Sequence, residues 1–125
     1  MIYLWIALGG ALGSVARFSV VNASDRLLGF SFPVGTLIVN VLGSLAIGYI
    51  SAFMLSKFPD AENSRYFLTT GFLGGFTTFS AFSLDLLQQI QRGENLMAIV
   101  YVLGSVLLGL AAVMLGYLLA QGSLA

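Results

Sequence analysis

The residues best equipped for chemistry crowd into one stretch, Thr69-Thr70-Gly71-Phe72-Leu73-Gly74-Gly75-Phe76-Thr77-Thr78-Phe79-Ser80-Ala81-Phe82-Ser83. Two adjacent glycines followed by two threonines weaken a helix near its middle. If that stretch lies in a membrane, non-helical backbone survives only where protein buries it or it lines a cavity. Freed carbonyls there can coordinate a cation, and freed amides and hydroxyls can meet an anion. The plain alternative is a glycine kink without function. Thr77, Thr78, Ser80 and Ser83 beside the glycines weigh against it. Phe79 and Phe82 are three apart, so on resumed helix they project from one face. An aromatic ring has an electropositive edge that an anion can approach, although a Phe pair in a membrane helix is ordinarily packing.

Three further groups belong beside this stretch. Thr36, Asn40 and Ser44 recur every four residues and stack on one helix face. The Asn40 amide offers two donors, which suits an anion, while interhelical hydrogen bonding is the structural alternative. Tyr101 and Ser105 are also four apart and extend a hydroxyl track, unless Tyr101 is an interfacial anchor. Arg17 either snorkels to headgroups or biases the local potential toward anions.

The missing residues exclude much. The chain has no histidine and no cysteine, which removes the commonest general base, the commonest metal ligand and all thiol chemistry. No paired carboxylates and no phosphate-binding loop are present, so an enzyme is not expected. A net charge of zero offers nucleic acid no basic field. Asp85 is the one acid within an apolar segment, and it lies near the segment's end, where it can stay hydrated. An ion path of amides, hydroxyls and ring edges remains, and the lack of a mid-span proton relay favours a channel over a coupled transporter. The alternatives are a small exporter of cationic compounds, which needs a membrane-embedded carboxylate, and a purely structural membrane subunit.

The elements that must position these residues are membrane helices. Hydrophobic residues make up 58% of the 125 and charged residues 8%, against about 25% charged in soluble domains. A fold this small cannot bury that much apolar surface, so the excess faces lipid. A span needs roughly 20 apolar residues. Residues 2–21, 34–55, 66–87 and 96–120 qualify, which gives an all-α, four-helix membrane domain with the third helix broken at the Gly-Gly/Thr-Thr segment. The N-terminal run has no basic leader region, so it reads as a first span rather than a signal peptide. Pro33 suits the start of the second helix, Pro59 ends it, and Gly93 caps the third. Lys57 and Arg65 fall on one side of the membrane, and Arg26, Arg92 and the borderline Arg17 on the other. So even a balance gives no topological instruction under the positive-inside rule. Either a weak bias operates, or the protein inserts both ways and pairs with an inverted copy. Gly9/Gly13 and Gly71/Gly75 are GxxxG pairs that let backbones approach in lipid. They seek partner faces, and so favour association of subunits.

These residues resemble the CrcB/Fluc family of fluoride channels over almost the whole chain. Gly9-Gly10-Ala11-Leu12-Gly13-Ser14-Val15-Ala16-Arg17-Phe18 is similar to that family's first-helix motif. Gly35-Thr36-Leu37-Ile38-Val39-Asn40-Val41-Leu42-Gly43 is similar to its second, and Gly71–Phe82 to its most specific signature. The resemblance implies passive export of cytoplasmic fluoride from a microbial inner (plasma) membrane by an antiparallel, dual-topology homodimer with two pathways. It implies a structural sodium ion at the dimer centre, held by backbone carbonyls at Gly74 and Thr77. It implies ring edges from Phe79 and Phe82, a hydrogen bond from Asn40, and a polar path that draws in Ser80, Thr36, Tyr101, Ser105 and Arg17. Ala81 stands where the family commonly has threonine, and Gly109 where it often has serine.

Overall fold

The computed structural model describes residues 1–29 and 31–125. Helix α1 spans Ile2–Leu28, α2 Val34–Lys57, and α6 Asn95–Leu124. Between α2 and α6 the chain forms α3 (Glu62–Tyr66), a wider π-helical stretch (Phe67–Leu73), a last turn α4 (Gly74–Phe76), and α5 (Phe79–Gln91). Counting Glu62–Gln91 as one, four helical segments among the described residues are long and apolar enough to cross a bilayer. Large apolar side chains such as Leu107, Leu110, Met114 and Leu118 lie exposed along α6, as lipid-facing surface requires.

The first helix runs past the expected end of its span, through Asp25 and Arg26 to Leu28, and closes on Gly29 in the left-handed conformation (φ 59°). Nothing in Asn22–Leu28 stops a helix, so the polar residues there ride on its projecting end. Pro33 is the N-cap of α2, and Phe58 ends that helix just before Pro59. Gly93 closes α5 with φ 76°. Its N–H bonds to the Ile90 carbonyl and the Glu94 N–H to the Gln89 carbonyl, the Schellman pairing of a helix end.

One expectation is corrected. The GxxxG pairs of the first and third segments need no outside partner, because they interdigitate with each other. Gly9 lies against the Phe67 carbonyl and Gly71, and Gly13 against the Phe72 carbonyl. A Cβ on Gly75 would meet the Gly10 carbonyl at 2.5 Å and the Ser14 N–H at 3.1 Å. The backbones of α1 and the π-helical stretch therefore touch, with Trp5 edge-on to Phe67 at 6.0 Å. Similarly, Gly48 and Gly116 bring α2 and α6 together. The glycine pairs thus carry no argument for a second subunit.

Candidate functional site

The adjacent glycines do not themselves leave the helix. Gly74 and Gly75 stay helical, and the extended residues are Thr77 (φ −89°, ψ 157°) and Thr78 (φ −153°, ψ 123°). Each threonine side chain fixes one side of this gap. The Thr77 hydroxyl donates back to the Leu73 carbonyl at 2.9 Å, which closes the preceding turn. The Thr78 hydroxyl accepts from the Ala81 N–H at 3.0 Å and so N-caps α5.

Asn40 holds the gap open. Its carboxamide oxygen accepts from the Thr78 N–H at 2.8 Å, and its NH₂ donates to the Thr78 carbonyl at 3.0 Å. One amide thus satisfies both backbone groups of an extended residue that no helix can serve. In an unbroken helix the Thr78 N–H would bond to the Gly74 carbonyl; here Asn40 takes it. The second hydrogen of the Asn40 NH₂ is not used by that clamp.

A cavity of about 340 Å³ opens at this point, lined by Asn40, Ser44, Gly74, Thr77, Thr78, Phe79, Phe82, Ser105 and Gly109 among others. A water takes about 30 Å³ in the liquid, so an ion fits with several waters. Phe79 and Phe82 face each other at 5.8 Å with planes 42° apart. Phe82 is 9% exposed and Phe79 80%, so one ring is held in the fold and the other stands off its surface. The Ser105 hydroxyl is buried without a hydrogen-bond partner on the wall of this cavity.

A second cleft adjoins it. Ser14, Arg17, Thr36, Thr78, Ala81 and Asp85 line it, and Thr78 is common to both spaces. The stripe Thr36–Asn40–Ser44 is therefore divided, with Thr36 in the cleft and the other two in the cavity. Two expected path residues line neither space. Ser80 is exposed, with its hydroxyl 3.3 Å from that of Thr78. Tyr101 is 1% exposed; its ring packs on Phe82 at 4.9 Å, and its hydroxyl donates to Asp85 at 3.0 Å. Tyr101 is thus not an interfacial anchor, and it lines neither of these two spaces. It supports Phe82 and orients Asp85.

Asp85 is half-buried and lines the cleft that Arg17 shares. Its spacing three residues after Phe82 was the available signal, because that places it on the Phe82 face. Outside the spans, Arg92 and Glu94 pair at 3.1 Å. That hydrogen bond holds the Glu94 carboxyl below its ordinary range and raises the Arg92 guanidinium.

The chain matches, over residues 4–117, the model of a family described as CrcB-like protein, Camphor Resistance (CrcB). It is 43% identical to a protein of Francisella philomiragia named fluoride-specific ion channel FluC, with 98% of this chain and 96% of that one aligned. It is 49% identical to a protein of the same name from Paracoccus denitrificans, covering 96% of this chain and 94% of the relative. A Rhizobium johnstonii protein of that name is also 49% identical, over 89% of each chain.

Proposed function

The chain belongs to the CrcB-like family, and we propose that it works as a passive, fluoride-selective ion channel that lets cytoplasmic fluoride out and so limits its toxicity. The observation that carries this reading is the cavity at the Thr77–Thr78 gap, which Asn40, Ser105, Phe79 and Phe82 all line. Fluoride is small and strongly hydrated, so a selective path must replace its water with donors. Neutral donors and ring edges do so without a fixed positive charge that would trap the ion. Hydrogen fluoride crosses membranes uncharged and ionises in the less acidic cytoplasm, so passive flow suffices.

The working unit is an antiparallel, dual-topology homodimer in the cell's inner membrane. Support comes from the even balance of Lys and Arg on the two sides and from Phe79, whose ring is 80% exposed in one protomer. An inverted copy would cover it. A sodium ion at the dimer centre fits the donors present. With the Thr78 N–H taken by Asn40, the Gly74 carbonyl lies free, and the Thr77 carbonyl sits on extended backbone. Both are hard oxygen donors suited to an alkali cation, whose role there is to fix the two broken helices against each other.

Purified protein in liposomes tests the reading. Fluoride should leave at rates well above protein-free vesicles while chloride is retained. Equal passage of chloride and fluoride, or of neither, overturns it. Exchange of a cationic dye for protons, without fluoride flux, would favour the exporter.

A further inference from the structure

Gln89 is the least explained residue in the molecule. It is 1% exposed, and neither its carboxamide nitrogen nor its oxygen has a hydrogen-bond partner. A buried polar group in that state is costly and calls for an unseen partner. The only other buried side-chain polar atom without a partner, among the described residues, is the Ser105 hydroxyl, and that atom lines the central cavity. On α5 the only buried residues are Phe82 and Gln89. Seven residues apart, they are about two turns apart and share a face, with Asp85 between them. The connection before α2 covers the same end of the helix. Arg92 reaches the Ser31 carbonyl at 3.5 Å, and Phe32 packs edge-on to Tyr101 at 5.3 Å. Gln89 therefore sits beyond Asp85, on the same helix face as Phe82 and toward the helix end that the Ser31–Phe32 connection covers.

We propose that Gln89 forms a further hydrogen-bonding station for the permeating anion and its water, between Asp85 and the aqueous end of the path. Its NH₂ donates to the anion or to a water that the anion keeps, and its oxygen accepts from that water. The neutral amide supplies donors next to the Asp85 carboxylate without adding charge. The proposal rests on the fluoride-channel reading, and its test separates the two.

Fluoride efflux from liposomes is compared for the wild type, Gln89→Met and Gln89→Leu, with thermal unfolding in detergent measured alongside. Both variants fill similar space and lack donors. Loss of a hydrogen bond to a charged ion should slow efflux about tenfold, while unfolding temperature holds or rises because an unpaired buried amide has gone. Efflux within twofold of wild type in both variants overturns the proposal. Failure of both variants to fold also overturns it, because it assigns Gln89 a purely structural role. A wild type that passes no fluoride instead overturns the channel reading itself.

Discussion

Replacing Asn40 with alanine removes a clamp whose size can be worked out. Two hydrogen bonds, of 2.8 Å and 3.0 Å, join its amide to the N–H and carbonyl of Thr78. Polar contacts between membrane helices average about 0.6 kcal/mol and reach about 1.7, so the pair contributes about 1–3 kcal/mol. That is a factor of roughly 5 to 150 in the folding equilibrium. Asn40→Ala should therefore unfold at a lower temperature in detergent and lose most of its fluoride efflux, since Thr78 can then re-form helix toward Gly74. Asn40→Asp separates structure from conduction. Its carboxylate still accepts from the Thr78 N–H, but it cannot donate to the Thr78 carbonyl and it puts negative charge on the proposed anion path. The aspartate variant should be the more stable of the two and still conduct poorly. Wild-type efflux from Asn40→Asp would refute the donor role. An alanine variant as stable as wild type would refute the clamp.

Two further outcomes follow from backbone geometry. An added Cβ at Gly13 would overlap the Phe72 carbonyl, whereas at Gly104 it would meet nothing within 4 Å. Gly13→Ala should then cost about 1–3 kcal/mol, the usual penalty of overpacking, and Gly104→Ala should be neutral, both read by thermal unfolding in detergent. Replacing sodium on both sides with a bulky organic cation should abolish fluoride efflux, and Thr77→Val should keep the same sodium dependence. The Thr77 hydroxyl is committed to the Leu73 carbonyl at 2.9 Å, so only its backbone is offered to a cation; a changed sodium dependence in that variant would implicate the hydroxyl.

Composition and run length sufficed for the four helices, because a bilayer demands continuous apolar length and little else. Spacing also picked out the face shared by Thr36, Asn40 and Ser44 and the Phe79/Phe82 pair. It could not show what each side chain touches. Asn40 looked equally suited to binding an anion or tying helices, and the distances give it a structural bond while leaving one hydrogen free. Composition placed the break at the Gly-Gly/Thr-Thr segment without dividing it; Gly74 and Gly75 remain helical, and Thr77 and Thr78 are extended, where Asn40 replaces the missing partners of Thr78. The pairing of Gly9/Gly13 with Gly71/Gly75 was invisible, because one sequence does not say which helix faces which. Asp85 is legible from sequence only by its place near a segment's end, which does not reveal the hydrogen bond it accepts from Tyr101.

The gap explains how one stretch can serve ions of both signs. Ending a helix exposes carbonyls, and starting one exposes amides, so the two sides of a gap carry opposite partial charge. Here the turn that ends at Phe76 leaves the Gly74 carbonyl without its helical partner, and the helix that starts at Phe79 presents its first amides only three residues later. Lipid would not tolerate both sets unpaired. Asn40 and the Thr78 hydroxyl satisfy three of the groups, the Thr78 N–H and carbonyl and the Ala81 N–H, and leave the rest to ligands. On the proposed function, a cation on the carbonyl side and an anion beside the amides and rings would each stabilise a backbone that neither could hold alone. Sodium and fluoride should accordingly be linked thermodynamically, each binding more tightly in the presence of the other. Calorimetric titration of fluoride at low and high sodium tests this; an affinity independent of sodium would mean that the two sides of the gap act separately.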